Sequence, residues 1–214
     1  MIESTTDLIT AIVLAGGEST RMGKDKALLT LDNETLLSRI CLVGQEVATS
    51  VYVVSPWIEK YQSILPPGCL GVKEELVLNA KSNAPTIGFA QGLEKVQTEW
   101  VLLLACDLTH LSSSQVKQWS RALTTVLPTT MAFLPRNAKG WEALCGFYRR
   151  NCLASLNAYI NNGGRSFQGW LANHQVAELK LRDRTCLFNC NTPTDWQSAT
   201  NKIKNASQSD RYTS

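Results

Sequence analysis

The sequence contains few of the side chains that most metal and redox sites require. It has only two histidines, and its seven cysteines include no C-x-x-C pair. The ligand spacing of a structural zinc site is therefore absent. An odd number of cysteines without such a pattern is also atypical of a secreted disulfide framework, so we expect reduced thiols and a cytoplasmic protein.

Long apolar segments and a strong charge of either sign are absent too. No run approaches the roughly 20 apolar residues of a membrane-spanning helix, and residues 1–10 lack the apolar core of a signal peptide. The net charge of +3 comes from 21 basic and 18 acidic residues, without a dense basic run. So small a surplus is untypical of nucleic-acid-binding proteins. We predict a soluble protein with neither nucleic-acid nor membrane partners, compatible with an acidic small-molecule substrate.

The sequence does contain a regular alternation of strand-like and helix-like segments. The β-branched residues 50–54 and the continuously apolar residues 100–105 are typical of strands, the latter of a strand buried on both faces of a parallel sheet. Apolar residues recur at helical spacing in residues 36–47, behind the N-cap candidate Thr35. Alternation of this kind predicts a three-layer α/β domain with a mostly parallel central sheet.

We predict one domain over residues 1–204 and a flexible polar tail over residues 205–214, because no linker-like segment divides the chain. Local signals predict the smaller elements: a third strand within residues 71–78, helices starting near Pro85, Ser112, Cys152 and Ser166, strands at 131–134, 143–148 and 176–181, a polar loop at 136–140, a strand at 187–189 and a last helix from Thr192.

The segment with the most chemical information is residues 12–26, IVLAGGESTRMGKDK, in which a strand-like start runs directly into a turn of small residues. Its glycines, Gly16, Gly17 and Gly23, allow backbone conformations with positive φ and let the chain approach a ligand closely. Successive N–H groups in such a turn form a concave site for an anion. We interpret the segment as a strand followed by a loop that binds a nucleoside triphosphate.

Three cations follow the glycine turn. Arg21 offers a planar guanidinium for bidentate contact with phosphate. Lys26 directly precedes an apolar stretch that should fix its position, whereas Lys24 is interpreted as a solubilising side chain. Together these charges are suited to hold a polyphosphate through charge-assisted hydrogen bonds.

Two better-known phosphate loops do not match this segment. Five residues separate Gly17 from Gly23, where a P-loop has four, and Lys24 is followed by Asp25 rather than by Ser or Thr. The dinucleotide fingerprint G-x-G-x-x-G is absent as well. The loop must therefore bind phosphate, if it does so, in a different way from both.

Asp107 directly follows the most apolar predicted strand. Ligands of open α/β sheets bind beyond the carboxyl ends of the strands, so we expect Asp107 beside the opening loop. A carboxylate there suits Mg²⁺, which binds carboxylate and phosphate oxygens. The alternative is that Asp107 only caps the turn that follows. We predict that it is a metal ligand.

The opening loop resembles the signature of the molybdenum cofactor guanylyltransferases, Leu-Ala-Gly-Gly-x-Ser-x-Arg-Met-Gly-x-Asp-Lys; related nucleotidyltransferases for other bases usually carry Leu-Ala-Ala-Gly. Residues 14–17, 21–23 and 25–26 fit the pattern. The resemblance implies a Rossmann-like nucleotidyltransferase fold and a Mg²⁺-dependent transfer of GMP from GTP to the phosphate of molybdopterin. The catalytic residues that it implies are Lys26, Arg21 and Asp107, with Asp107 as the metal ligand. The GTP site that it implies consists of Leu14, Ala15, Gly16, Gly17, Lys26 and Asp107.

The resemblance also implies that the second substrate binds along the same edge. Asn189 and Asn191 match the family's late Asn-x-Asn-Thr-Pro motif and are predicted on the molybdopterin side. Weaker candidates for that side are Arg136, Lys139, Arg149 and Arg165, and a pterin-stacking role for Trp141 or Trp170 stays open. Transient contact with molybdoenzymes or other cofactor-biosynthesis proteins is a further implication.

Two segments depart from the family pattern. Thr109 stands where a proline usually follows the metal-binding aspartate, and residues 84–88, Ala-Pro-Thr-Ile-Gly, replace Gly-Pro-Leu-Ala-Gly. The family's acidic base-contacting residue corresponds to either Glu74 or Glu75, and Ser55 is another candidate near the base. Two alternatives therefore stay open: a cytidylyl- or sugar-phosphate nucleotidyltransferase, and a carrier that binds nucleotide or pterin without catalysis.

Overall fold

The computed structural model describes residues 9–17, 25–76, 83–188 and 196–197. Its strands are β1 (Ile9–Leu14), β2 (Thr30–Leu31), β3 (Glu34–Thr35), β4 (Ser50–Ser55), β5 (Cys69–Lys73), β6 (Trp100–Ala105), β7 (Ala132–Leu134), β8 (Arg136–Asn137), β9 (Gly140–Trp141), β10 (Cys145–Arg149) and β11 (Val176–Glu178). Its α-helices are α1 (Leu36–Gln45), α2 (Ile58–Tyr61), α3 (Pro85–Leu93), α4 (Ser113–Arg121), α5 (Cys152–Asn161) and α6 (Phe167–Leu171). Short 3-10 helices cover Lys26–Leu28, Gln62–Ile64, Ala122–Thr125 and Arg184–Leu187.

A seven-stranded sheet in the order β11-β7-β10-β6-β1-β4-β5 lies at the centre. β1 pairs in parallel with β4 and β6, β4 with β5, and β7 with β11. β10 runs antiparallel to both of its neighbours, β6 and β7. The predicted mostly parallel sheet is therefore confirmed. Because β6 and β7 are each antiparallel to β10, their carboxyl ends lie at the same edge of the sheet.

Helices cover both faces of this sheet and produce the predicted three layers. On one face α1, α2 and α4 pack on alternate strand residues such as Val13 and Leu104. On the other face α3, α5 and α6 pack on the intervening residues, such as Ile12 and Leu103. All four of these strand residues are 0% exposed. A strand covered on both faces needs apolar residues at consecutive positions, which explains the continuous apolar runs in the sequence.

The helix starts predicted near Thr35, Pro85, Ser112, Cys152 and Ser166 are confirmed, and local chemistry explains several of them. The Thr35 side chain accepts a hydrogen bond from the N–H of Ser38 at 3.2 Å and caps α1. Ser112 and Gln115 form a reciprocal capping box at the start of α4. α3 begins with Pro85, whose fixed φ suits the first helical position.

The prediction of an irregular polar loop at residues 136–140 is wrong, because these residues form paired strands. These residues and Trp141 make the β8–β9 hairpin, in which Arg136 pairs with Trp141 and Asn137 with Gly140. Strands of two residues are too short for their alternation to be recognised in a sequence. The hairpin leaves the sheet directly after β7, so it extends the edge at which β6 ends.

The strand predicted at residues 187–189 is also wrong where the structure describes it. The Asp183 side chain accepts a hydrogen bond from the Thr185 N–H at 2.8 Å and starts a 3-10 turn, Arg184–Leu187. A side-chain bond of this kind turns the chain and competes with extended structure. Residue 189 and the start of the helix predicted from Thr192 lie outside the described residues, as do residues 205–214, whereas residues 196–197 are described and are helical.

The third predicted strand lies earlier than expected. β5 covers Cys69–Lys73, and residues 74–76 have already left the sheet. Residues 77–82 are outside the described part of the chain. None of the helices among the described residues has the length and apolarity that crossing a membrane requires.

Candidate active site

A pocket of about 250 Å³ lies beyond the carboxyl ends of β1 and β6. Residues predicted for the GTP site line it together: Leu14, Ala15, Gly16, Gly17, Lys26 and Asp107. The parallel pairing of β1 with β6 explains this arrangement, because it places Leu14 beside Ala105 at the same edge. The pocket therefore lies where open α/β sheets usually bind their ligands.

Lys26 and Asp107 face each other in this pocket. Lys26 Nζ donates a hydrogen bond to Asp107 Oδ2 at 3.0 Å, although the two residues are 81 positions apart. Their side chains are only 16% and 17% exposed. Partial burial weakens solvent screening, so the attraction exceeds that of a surface ion pair. Each charge compensates the desolvation of the other, and the loss of either leaves its partner poorly solvated.

Asp25 fixes the position of Lys26. One oxygen of the Asp25 carboxylate, Oδ1, accepts from the Ala27 N–H at 3.1 Å and caps the 3-10 helix that Lys26 begins. The other, Oδ2, accepts from the Tyr61 hydroxyl at 2.9 Å and from Lys60 Nζ at 2.6 Å. Tyr61 is 1% exposed, so Asp25 fastens this end of the loop to the protein core through α2.

A carboxylate occupies the space beside the glycine turn. A Cβ on Gly16 would lie 2.7 Å from Glu74 Oε2 and 3.1 Å from Cδ of Pro56, and a Cβ on Gly88 would lie 3.2 Å from Glu74 Oε1. Glu74 is 6% exposed. Its carboxylate thus lies between the opening turn and the first turns of α3, in room that exists because Gly16 and Gly88 have no side chains.

Gly16 and Gly17 do not use the positive φ angles that glycine allows. Among the described glycines, positive φ occurs at Gly68, Gly140 and Gly163. At Gly16 the absence of a side chain leaves room for the Glu74 carboxylate, and the close approach of a ligand that its sequence position indicates stays a prediction. A Cβ on Gly17 would meet nothing within 4 Å, so that glycine borders open space in the pocket. Gly23 lies outside the described residues.

Of the two candidate acids, Glu74 is the one that lines the pocket. Burial raises the pKa of Glu74 above the ordinary value of a glutamate, while a hydrogen bond from Asn83 opposes that rise. Glu75 is exposed, and its main-chain N–H and carbonyl bond to the side-chain amide of Gln91 at 2.8 and 2.9 Å. Of these two neighbouring residues, Glu74 therefore places its carboxylate in the pocket and Glu75 places its carboxylate on the surface.

Ser55, a sequence candidate for contact with the base, uses its hydroxyl within the protein. Ser55 Oγ donates to the Ala15 carbonyl at 2.9 Å and accepts from the Trp57 N–H at 3.1 Å. The Ser55 carbonyl accepts from the N–H of Glu74 at 3.0 Å. The residue is 0% exposed. Ser55 thus links the opening turn to Glu74, and it positions the pocket wall rather than contacting a ligand.

The residues that flank Asp107 in sequence have separate structural effects. Burial, together with the nearby Asp107 charge, raises the pKa of Cys106 to about 12, so this cysteine is a neutral thiol and a poor nucleophile at neutral pH. Thr109 replaces the proline usual in the family, and its hydroxyl contacts His110 Nδ1 at 3.0 Å and the Phe188 carbonyl at 3.5 Å. Thr109 therefore connects the turn after Asp107 to Phe188, which follows the 3-10 helix Arg184–Leu187.

Several weaker sequence candidates are not brought to this pocket. The Arg149 guanidinium lies 4.0 Å from the ring centroid of Trp100, at the start of β6, whereas Asp107 follows the other end of that strand. Arg165 donates to two carbonyls at the end of α5. Trp170 is 1% exposed and belongs to the core. The predicted residues Arg21, Lys24, Asn189 and Asn191 lie outside the described residues, and their roles stay predictions.

An open, mostly parallel sheet, a glycine turn after its first central strand and a lysine–aspartate pair at the adjacent strand end define an α/β domain of the nucleotide-binding class. A family model described as the MobA-like NTP transferase domain matches residues 11–177. That match spans more than half of the chain, so this chain belongs to the MobA-like NTP transferase family. It is therefore a nucleotidyltransferase by family.

Individual relatives agree with the family assignment. A probable molybdenum cofactor guanylyltransferase of Nostoc sp. is 51% identical over 187 residues, covering 87% of this chain and 88% of that protein. One from Synechococcus elongatus is 41% identical over 187 residues, covering 87% and 95%. The crystal structure of molybdopterin-guanine dinucleotide biosynthesis protein A from Archaeoglobus fulgidus matches with a TM-score of 0.75 at 19% identity, over 92% of this chain and 99% of that one. At that identity the structural match demonstrates a shared fold.

Proposed function

We propose that this protein transfers GMP from GTP to the terminal phosphate of molybdopterin, releasing pyrophosphate and forming molybdopterin guanine dinucleotide. The names of relatives that are 51% and 41% identical support this substrate pair. The structural observation that carries the proposal is the Lys26–Asp107 pair in the pocket beside the glycine turn. Nucleotidyl transfer needs a cation for the phosphates and a carboxylate for a metal at one place, and this pair supplies both.

The proposed reaction is an in-line displacement at the α-phosphorus of GTP. An ionised oxygen of the acceptor phosphate forms the new P–O bond, and the electron pair of the broken α–β bridge leaves with pyrophosphate. Because the attacking oxygen is already ionised, neither a protein base nor a covalent nucleophile is required. The protein contributes positioning and preorganised charge. When the nucleotide binds, the Lys26 ammonium leaves the Asp107 carboxylate and contacts the phosphates instead. Arg21 is the predicted second cation.

Asp107 is the proposed ligand for Mg²⁺. Among the described residues no group of three or more His, Cys, Asp or Glu side chains is placed to hold a metal ion. Mg²⁺ is usually bound by one or two carboxylates together with substrate phosphates, so one pocket carboxylate is a suitable donor set for a cation that arrives with a nucleotide. When bound, the ion would neutralise charge on the α- and β-phosphates.

Glu74 is the proposed contact for the guanine base. Guanine presents two adjacent donors, N1–H and the N2 amino group, and an ionised carboxylate accepts both. Cytosine has only one donor group, at N4, on its pairing edge. A buried carboxylate at this place favours guanine over cytosine, because guanine offers it two donor groups and cytosine only one.

The test is to incubate the protein with Mg²⁺, molybdopterin and each of the four nucleoside triphosphates in turn, and to measure pyrophosphate release. We expect release with GTP and the appearance of the guanine dinucleotide. Release with CTP alone would identify a cytidylyltransferase. Nucleotide binding without release under any of the four conditions would identify a non-catalytic carrier.

The Asp25 anchor leads to a separate prediction about positioning. Tyr61→Phe should lower kcat/KM about tenfold, since a hydrogen bond to a charged group contributes roughly 1.5–3 kcal/mol. Burial and the nearby Asp25 raise the pKa of Tyr61, so its hydroxyl remains a donor at any pH used in an assay. Steady-state kinetics and thermal unfolding should be measured together. A lower unfolding midpoint with wild-type kcat/KM would mean that Tyr61 only stabilises the fold.

We further propose that the reaction takes place in the cytoplasm and that finished cofactor passes to molybdoenzymes through transient contacts. The support for the first part is the cysteine pattern of the sequence. The support for the second is the family to which the chain belongs.

A further inference from the structure

The acceptor must bind on the side of Asp107 that the nucleotide leaves open. In the sheet, Glu74 follows β5 and Asp107 follows β6, with β4 and β1 between them. A nucleotide that reaches from Glu74 to Asp107 therefore covers the β5, β4 and β1 end of the edge. The strands on the other side of β6, away from β1, are β10, β7 and β11. In-line attack requires the acceptor oxygen to approach opposite the leaving pyrophosphate. The residues that bind the acceptor are therefore expected on the β10 and β7 side of Asp107.

The β8–β9 hairpin lies at that side. It begins one residue after β7, whose carboxyl end shares the edge with that of β6. It returns to Leu144, which lines the pocket and whose carbonyl accepts the N–H of Ala105 at 2.9 Å. Ala105 is two residues before Asp107, and Leu144 is three residues after β9, so the hairpin is connected to the pocket rim on the β10 side of β6, away from Glu74.

The hairpin is held in place rather than free to move. The side-chain amide of Gln168 accepts from the Trp141 N–H at 3.1 Å and donates to the Trp141 carbonyl at 2.6 Å. Gly140 has a φ of 129°, and a Cβ there would lie 2.5 Å from Gln168 Oε1. The Arg184 side chain donates to the Arg136 carbonyl. A surface fixed in this way needs little ordering when it binds a ligand.

The chemistry of the hairpin suits a planar anion. The Arg136 guanidinium lies 5.1 Å from the ring centroid of Trp141, and Arg136 and Lys139 are both exposed. Glu142, the residue that follows the hairpin, accepts a hydrogen bond from the Asn137 side-chain amide, so this carboxylate is already engaged. Guanidinium planes and aromatic rings are the usual stacking partners of heteroaromatic bases, and the two cations attract phosphate.

We infer that the β8–β9 hairpin binds the acceptor substrate, with the Arg136–Trp141 pair stacking on its heteroaromatic ring and the Arg136 and Lys139 charges drawing in its phosphate. This inference rests on the proposed function, which makes that acceptor molybdopterin. It assigns a role to Trp141, which the sequence left open, and it separates Arg136 and Lys139 from Arg149, which lies at the opposite edge of the sheet.

The test compares four variants of the full-length protein by steady-state kinetics, varying molybdopterin and GTP separately. Arg136→Gln and Trp141→Leu should each raise the KM for molybdopterin about tenfold, the usual effect of losing one stacking partner, and leave the KM for GTP unchanged. Trp141→Phe, which keeps an aromatic face, should recover most of the affinity. Arg121→Gln removes an exposed arginine from α4 on another part of the surface and should behave as wild type.

The outcomes separate this inference from the proposed function. If the wild-type protein releases no pyrophosphate with any nucleotide, the proposed function fails before any variant is compared. If the wild type is active and both variants keep the wild-type KM for molybdopterin, the hairpin inference is overturned and the function stands. Wild-type kinetics combined with impaired delivery of the product to a molybdoenzyme would also overturn it, in favour of a protein-docking surface.

Discussion

Asp107→Ala and Lys26→Ala should each lower kcat about 10²–10³-fold, the range found when one preorganised group of an active site is removed. Both residues belong to the same ion pair at 3.0 Å, and both are largely shielded from solvent. Loss of Asp107 removes the proposed metal ligand, and loss of Lys26 removes the proposed phosphate contact. The measurement is pyrophosphate release from GTP in the presence of Mg²⁺ and molybdopterin.

The pair also predicts that the two effects do not add. Residues that act as one unit lose most of their joint contribution when either is removed, so the double variant should be little slower than the slower single variant. Thermal unfolding should be measured alongside, because each single substitution removes one member of a partly buried ion pair. The double variant removes both charges and should unfold at a higher temperature than at least one of the single variants.

A matched control is available on the protein surface. Lys117 pairs with Glu46, and both side chains are about half exposed, at 48% and 44%. Lys117→Ala removes a lysine from an ion pair away from the pocket and should leave kcat unchanged, as expected for exposed pairs. Wild-type turnover in a folded Asp107→Ala protein would eliminate the metal assignment. An equal loss of activity in Lys117→Ala would point to a general effect of removing surface charge.

The parts of the site that directly follow a strand could be predicted from the sequence. Asp107 follows a strand whose burial on both faces is evident from its composition, and the glycine turn follows another. The pairing of β1 with β6 then makes their ends neighbours. A general rule about parallel sheets was enough to bring Lys26 and Asp107 to one edge, although no sequence pattern gives the distance between them.

Contacts that join distant segments were beyond sequence reasoning. Nothing in the pattern around Tyr61 indicates that its hydroxyl reaches Asp25, which precedes it by 36 residues. The two adjacent acids at the end of β5 look equivalent in the sequence, and only the path of the chain turns Glu74 inward and Glu75 outward. The same holds for Ser55, whose hydroxyl is used by the Ala15 carbonyl and is unavailable to a ligand.

The base preference should change most on substitution of Glu74. Glu74→Gln keeps the size of the side chain but presents one acceptor and one donor, so an N–H of guanine meets an N–H of the protein. A bidentate contact of this kind contributes roughly 1–3 kcal/mol of discrimination, and we expect the GTP-over-CTP ratio of kcat/KM to fall by about 10–100-fold on that basis. Glu75→Gln, the same chemical change one residue further on, is exposed and should retain the wild-type ratio.

The pH dependence offers a second measurement of the same residue. Because burial raises the pKa of Glu74, its carboxylate takes up a proton at a higher pH than an ordinary glutamate, whose pKa is about 4.3. The protonated form carries a donor, so the KM for GTP should rise as the pH falls through that raised pKa, and it should be constant above it. The glutamine of Glu74→Gln cannot titrate, so this variant should show no such rise in the KM for GTP. If the KM for GTP still rises at low pH in Glu74→Gln, the titration belongs to another group.

Gly16→Ala should reproduce much of the Glu74→Gln effect without touching the carboxylate itself. The added Cβ would lie 2.7 Å from Glu74 Oε2, closer than real contacts allow, and the end of a flexible side chain gives way more easily than the turn. The carboxylate is therefore displaced from its place between Gly16 and Gly88 while the fold persists. Combining Gly16→Ala with Glu74→Gln should add little to either change alone, because both act on one contact. Fully additive losses in the GTP-over-CTP ratio would instead mean that Gly16 acts on the nucleotide independently of Glu74.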